Sequence, residues 1–242
     1  MGNNMSKPLL AVTMGDPAGV GAEIVVKTFA NAHIFDHAQP FVIGSVACLK
    51  QAVEQTGVSL DIEAVESATE VAQKKNIQVL EPISFDISTL KIGEVSAVCG
   101  DAAVQFFETA VKLCQDDTIQ GVVTCPINKE AVHAAGYYGD IGHQEILARM
   151  TGSVLTATML MTRGLRVAHL STHKSLGEAV KYVKKPVLLE KLQLTVDSLQ
   201  QWGIANPKVA VAALNPHGGE GGMLGSEEIE EIAPAVAAAR ES

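Results

Sequence analysis

The chain repeats one local order: a short apolar run of strand length, a turn built on glycine or proline, then a segment with helical spacing. Pro8-Leu9-Leu10-Ala11-Val12-Thr13-Met14 runs into Gly15-Asp16-Pro17-Ala18-Gly19-Val20-Gly21, and Ala22-Glu23-Ile24-Val25-Val26-Lys27 reads as the start of a helix. Pro40-Phe41-Val42-Ile43-Gly44-Ser45 is followed by helical spacing from Val46 to Gln55 that ends near Gly57. Ile119-Gln120-Gly121-Val122-Val123-Thr124 runs into Cys125-Pro126-Ile127-Asn128-Lys129-Glu130. Strands alternating with helices predict an α/β fold. In open sheets of this kind ligands bind beyond the carboxyl ends of the strands, so these turns are where chemistry is expected.

At 242 residues the chain is long enough for one large domain or two small ones. We expect two α/β domains, 1–125 and 126–242. A net charge of −9 and a pI near 5.2 argue against nucleic acid or an anionic membrane surface, since both call for a basic face. Small molecules are the expected partners. Cys48, Cys99, Cys114 and Cys125 are far apart and form no CxxC pair, which fits reduced thiols in the cytoplasm. No apolar run approaches membrane-spanning length. Met1-Gly2-Asn3-Asn4-Met5-Ser6 fits a loose myristoylation pattern, without the second signal that stable anchoring needs.

Four stretches carry possible chemistry. The loop from Gly15 to Gly21 would expose backbone N–H groups at a helix start, a natural anion site, with Asp16 and Gly19 as its candidate residues. It has neither G-x-G-x-x-G spacing nor a following G-K-[ST], and in the plain alternative Asp16 only caps a tight turn. At the next strand end, Asn128 and Lys129 offer an amide and an ammonium to a phosphate or carboxylate. Between these stretches, a helix from about Ser96 to Cys114 shows an ordinary core face. Gly142-His143-Gln144-Glu145 then opens a helix, where a histidine tends to be neutral. Ser153–Met161 and Leu165–Leu170 read as a hairpin turned at Arg163-Gly164, which places His173 just past a strand and leaves His169 as a core or cross-strand residue. The fourth stretch begins with Val209-Ala210-Val211-Ala212-Ala213-Leu214, which reads as a buried strand. It delivers His217 into Asn215-Pro216-His217-Gly218-Gly219-Glu220-Gly221-Gly222. His173 and His217 are then two imidazole metal ligands sharing one sheet edge. A catalytic zinc site takes three protein ligands, and the spacing selects none of Asp16, Glu145 and Glu220 as the third.

Taken together and in order, Gly15–Gly21, Thr124–Lys129, Gly142–Glu145, Ser171-Thr172-His173 and Leu214–Gly222 strongly resemble the 4-hydroxythreonine-4-phosphate dehydrogenase family of pyridoxal phosphate biosynthesis. The resemblance runs from about Leu9 to Ile232. It implies two α/β domains with a central cleft, similar to the isocitrate and isopropylmalate dehydrogenase fold, and a homodimer with active sites at the subunit interface. It implies NAD- or NADP-linked oxidation and decarboxylation of a phosphorylated 3-hydroxy acid such as 4-phosphohydroxy-L-threonine. The divalent metal would be Zn, Mg, Co or Mn. By position His173 and His217 match two of the family's three metal histidines, and His143 matches a substrate-binding histidine.

Two departures bear on substrate and activity. Gln144 stands where the family usually has a substrate-binding threonine, so the acceptor becomes 4-phosphothreonate, 4-phosphoerythronate or a non-phosphorylated cis-diol carboxylate as alternatives. Family chains also continue further, with the third metal histidine and a Lys, an Asn and an Arg that bind substrate. The 242 residues are therefore expected to be C-terminally truncated and inactive by themselves. A metabolite- or metal-binding protein that kept the fold without the chemistry is the rival reading.

Overall fold

Five parallel strands make one sheet in the computed structural model, which describes residues 7–139, 142–172 and 174–241. They are β1 (Leu9–Thr13), β2 (Gln39–Ile43), β3 (Ile62–Val65), β4 (Ile77–Leu80) and β5 (Gly121–Thr124), in the order β3-β4-β2-β1-β5. β1 is hydrogen-bonded to β2 on one side and to β5 on the other, with Val12 opposite both Val42 and Val123. The strand order reverses beside β1, so the carboxyl ends of β1 and β5 flank a switch point where ligands bind in such sheets. All five residues of β2 are buried, as the continuous Phe41-Val42-Ile43 run of a strand covered on both faces requires.

The helices follow from apolar spacing. α1 (Gly21–Phe29) buries Ala22, Val25, Val26 and Phe29, one stripe at helical period. After the short α2 (Ile34–His37), α3 (Val46–Thr56) ends on Gly57 at φ +68°, a left-handed cap that glycine adopts without strain. α4 (Ala97–Gln115) is buried on two sides. Ala102, Phe106 and Ala110 join the sheet core with Phe29, Phe41 and Leu49. Val104, Phe107 and Val111 meet Val132 of α5 (Lys129–Ala134) and Ile146 of α6 (His143–Thr151). A Cβ on Gly100 would lie 2.1 Å from the Ala131 carbonyl oxygen, so glycine there lets α4 and α5 touch backbone to backbone. The chain divides into compact units Met1–Ser153 and Val154–Ser242, not at 125/126 as the sequence suggested. α5 and α6 stay with the first unit because they cover the outer face of α4.

The second unit contains an antiparallel hairpin, β6 (Met159–Thr162) and β7 (Leu165–Ala168). Arg163 at φ +35° and Gly164 at φ +95° turn it, the positive-φ pair a two-residue hairpin loop demands. α7 (Leu176–Tyr182) starts on a capping box between Ser175 and Glu178. α8 (Lys185–Gln201) and α9 (Ala233–Glu241) close a small core of Val183, Leu188, Ile232 and Ala235. Glu231 ties the start of α8 down by accepting from Lys184 Nζ at 2.8 Å and from the Lys185 N–H at 2.7 Å.

The strand expected at Val209–Leu214 is not formed. The sheet of this unit has two strands among the described residues, and the apolar run has no ladder partner among them. Residues of strand type make a strand only when a neighbour supplies N–H and C=O groups, and Val209 and Leu214 stay 41% and 37% exposed. A cavity of about 660 Å³ lies against this run, lined by Val167, Leu170, Leu188, Lys191 and Ile232 among others. None of the seven candidate site residues that the structure describes lines it.

Candidate functional site

At the switch point, the loops after β1 and β5 are locked to each other. The Asp16 N–H donates to the Pro126 carbonyl at 3.0 Å, and the Cys125 N–H donates to the Thr13 carbonyl at 3.0 Å. Gly15, at φ +73°, has no room for a side chain, since its Cβ would lie 2.3 Å from the Pro126 oxygen. Gly21 is as constrained, with a Cβ position 1.8 Å from the Met14 oxygen. These glycines serve the close approach of two loops. The structure thus brings Asp16 and Gly19 beside the loop of Asn128 and Lys129, two stretches more than a hundred residues apart.

Within that junction the residues do different things. Asp16 is 4% exposed, its Oδ1 accepts the Ala18 N–H at 2.8 Å, and burial pushes its carboxyl pKa up. A buried carboxylate repels an anion, so Asp16 shapes the turn and does not itself hold a phosphate. Gly19 is exposed and small because a Cβ would press on Asp16 at 3.3 Å. Asn128 Oδ1 caps α5, accepting from the N–H groups of Glu130 at 2.9 Å and Ala131 at 3.1 Å. Lys129, beside it, is exposed. Thr13 Oγ1, at the end of β1, is buried with no hydrogen-bond partner among the described residues. Sequence reading passed over it because a strand-end threonine looks like any β-branched residue. Burial pushes the Cys48 and Cys125 thiols up to about 11 and raises Cys99 as well, so these cysteines are neutral and unsuited to nucleophilic work.

His143 opens α6 and packs edge-on against Phe107, ring centroids 4.8 Å apart. Its Nε2 is buried and has no partner among the described residues, while burial lowers its pKa. The imidazole is therefore neutral at pH 7, with one ring nitrogen able to meet a ligand group. Gln144 is half-buried next to it. Phe107 lies about two helical turns along α4 from Cys99, the residue whose thiol feels the Asp16 charge. The two candidate clusters of the first unit are accordingly separate.

His217 is exposed in the second unit, in a loop with an unusual backbone. Five successive residues, His217 to Gly221, have φ between +45° and +78°, a left-handed turn in which His217 and Glu220 carry side chains. Left-handed backbone costs an L-residue roughly 1–2 kcal/mol, and such strain gathers at functional sites. His217 does not end a strand, which corrects the expectation that it shares a sheet edge with His173. His173 lies outside the described residues. Among the described residues no three His, Cys, Asp or Glu side chains stand together as a metal site. An exposed imidazole on a fixed turn is a suitable donor to a divalent transition metal, and by itself it is one ligand.

A parallel sheet whose facing loops meet at its switch point, with a half-buried neutral histidine and, in the second unit, a strained histidine loop, suits an α/β enzyme that works on a small molecule. The family model described as pyridoxal phosphate biosynthetic protein PdxA matches residues 36–242. A D-threonate 4-phosphate dehydrogenase of Cupriavidus necator is 37% identical over 235 residues, covering 96% of this chain and 70% of the relative. A 4-hydroxythreonine-4-phosphate dehydrogenase structure from Klebsiella pneumoniae aligns with a TM-score of 0.89 at 33% identity, covering 99% of this chain and 72% of that one. Another, from Burkholderia phymatum, gives a TM-score of 0.82 at 36% identity, covering 98% and 72%. The chain belongs to the PdxA family, and its class is that of the dehydrogenases. No helix among the described residues is long and apolar enough to cross a membrane.

Proposed function

We propose that the protein catalyses metal-dependent, NAD-linked oxidation of a phosphorylated 3-hydroxy acid, followed by decarboxylation. The observation that carries this reading is the left-handed histidine loop, a costly backbone in a chain of the PdxA family. His217, with His173 and a third donor, would hold the divalent metal, which supplies Lewis-acid polarisation of the substrate oxygen when bound. The substrate class follows the relatives, one of which is named for D-threonate 4-phosphate and two for 4-hydroxythreonine 4-phosphate. Neutral His143 would hydrogen-bond the substrate through Nε2, and Gln144 would contact it from the next position. Lys129, exposed where the two switch-point loops meet, would attract a phosphate, of substrate or dinucleotide, while Asp16, Gly19 and Asn128 keep that loop pair in shape. A homodimer fits the exposed Leu160, Met161 and Leu165 of the hairpin, and a cytoplasmic location fits the acidic charge and buried thiols.

The relatives named for D-threonate 4-phosphate favour a threonate 4-phosphate over 4-phosphohydroxy-L-threonine, and Gln144, whose amide reaches further than a threonine hydroxyl, would be the residue that selects it. The test is a turnover screen on the protein as its organism makes it, following nicotinamide reduction with both compounds, erythronate 4-phosphate and dephosphorylated threonate. Turnover of a phosphorylated acid and none of threonate supports the reading. Turnover of threonate alone would point to the cis-diol carboxylate alternative, and a Gln144→Thr enzyme with unchanged preference would remove Gln144 from substrate selection.

A further inference from the structure

The second unit holds a carboxylate whose contacts converge on the loop that carries His217. Glu228 Oε1 accepts from the N–H groups of Leu214 at 2.9 Å and Asn215 at 2.7 Å. Its Oε2 accepts from Asn215 Nδ2 at 2.9 Å, and the same Nδ2 donates to Glu227 Oε2 at 2.8 Å. Two glycines are shaped around this knot. A Cβ on Gly219 would lie 2.9 Å from Glu228 Oε2, and one on Gly225 would lie 2.5 Å from Asn215 Nδ2. Around the left-handed turn, Gly218 N–H donates to the Asn215 carbonyl at 3.2 Å, Leu224 N–H to the Gly219 carbonyl at 3.1 Å and Met223 N–H to the Glu220 carbonyl at 3.5 Å. The preceding run gives the turn no sheet support, since it pairs with no strand among the described residues.

The geometry points to Glu228 as the positioning residue for His217. It fixes the chain where it enters the turn, at Leu214 and Asn215, and meets the turn again at Gly219, so the imidazole is presented in one direction. Glu228 touches neither His217 nor any reacting atom, and acts through the loop. The inference deepens the metal reading of His217 and rests on it for its consequence in catalysis, while the brace itself exists without metal.

Two readouts on the whole chain test it: amide hydrogen exchange across residues 214–222, and titration with Mn(II). In Glu228→Ala the Leu214 and Asn215 amides should exchange at least about tenfold faster with the melting temperature of the protein nearly unchanged. Mn(II) affinity should fall on the order of tenfold, the usual effect of losing a group that orients a metal ligand. Glu228→Gln keeps an acceptor for the two backbone amides but turns an NH2 toward Asn215 Nδ2, so it should fall between wild type and Glu228→Ala. Glu227→Gln, altered only at the Asn215 side chain, should stay near wild type. Unchanged exchange at residues 214–219 in Glu228→Ala overturns the proposal. If that variant unfolds, a folded Glu228→Gln with wild-type exchange overturns it equally. The metal reading fails separately, if wild type takes up no Mn(II) or if His217→Ala takes it up as well, and the exchange data then decide the brace alone.

Discussion

Asp16 and His143 are both ionisable groups kept away from water, and each predicts a pH effect of definite sign. Burial raises the Asp16 pKa above its usual 3.8, so folding favours the protonated form. The stability tied to that form is complete below pH 3.8 and is lost as pH rises through the folded value. Asp16→Asn should therefore melt at or above the wild-type temperature at pH 7, with the advantage shrinking toward pH 4; a variant less stable at pH 7 than at pH 4, relative to wild type, would contradict this. Burial lowers the His143 pKa below its usual 6.5, so below that pH the unfolded chain binds a proton that the folded chain refuses. Stability should fall as pH drops from 6.5 toward the folded value. An NMR titration of the His143 ring should give a midpoint under 6.5, and His143→Leu should lose that part of the slope. In the histidine loop, Gly218 at φ +65° opens on empty space and Gly219 at φ +78° faces Glu228. Gly218→Ala should cost about 1 kcal/mol in urea unfolding, the backbone penalty alone. Gly219→Ala should cost about 2 kcal/mol or more, because the same penalty is joined by a clash. Equal costs would mean that Gly219 is not in contact with the brace.

Among the elements, α4 is the one on which the first unit depends, since it faces the sheet core and carries α5 and α6 on its other side. Gly100→Ala should push α5 away and destabilise the unit by about 2 kcal/mol, measurable by denaturant unfolding, because its Cβ would meet backbone that cannot rotate aside. The elements were legible in the sequence wherever local chemistry decides them. β1, β2, β5, α3, α4, α8 and the Arg163-Gly164 hairpin fall where apolar period, glycine and turn residues put them. Val209–Leu214 was misread because strand propensity states only half of the requirement, and the hydrogen-bonding neighbour is not a local property. The candidate site divides in the same way. His143 at a helix start, and Asp16 and Lys129 just past strand ends, could be read from local sequence, whereas the meeting of the loops after β1 and β5, the burial of Asp16 and the capping by Asn128 depend on what packs over them. Glu228 was invisible, because an acidic residue nine places after Gly219 shows its role only once the chain has folded back.

In the whole molecule, each of two compact units carries candidate site residues, a switch-point junction and a neutral histidine in the first and a braced histidine loop in the second. The net charge of −9 makes the chain as a whole a poor match for a polyanion and leaves discrete groups such as Lys129 to attract a phosphate. Membership of the PdxA family makes the protein a dehydrogenase, and the central claim is that His217 delivers the metal on which its reaction depends. The most direct measurement is nicotinamide reduction with D-threonate 4-phosphate by the protein as its organism makes it, after chelation and after Mn(II) is restored, for wild type and His217→Ala side by side. Activity should disappear on chelation, return with Mn(II), and fall at least about a hundredfold in His217→Ala. A His217→Ala enzyme that turns over at the wild-type rate with Mn(II) would contradict it.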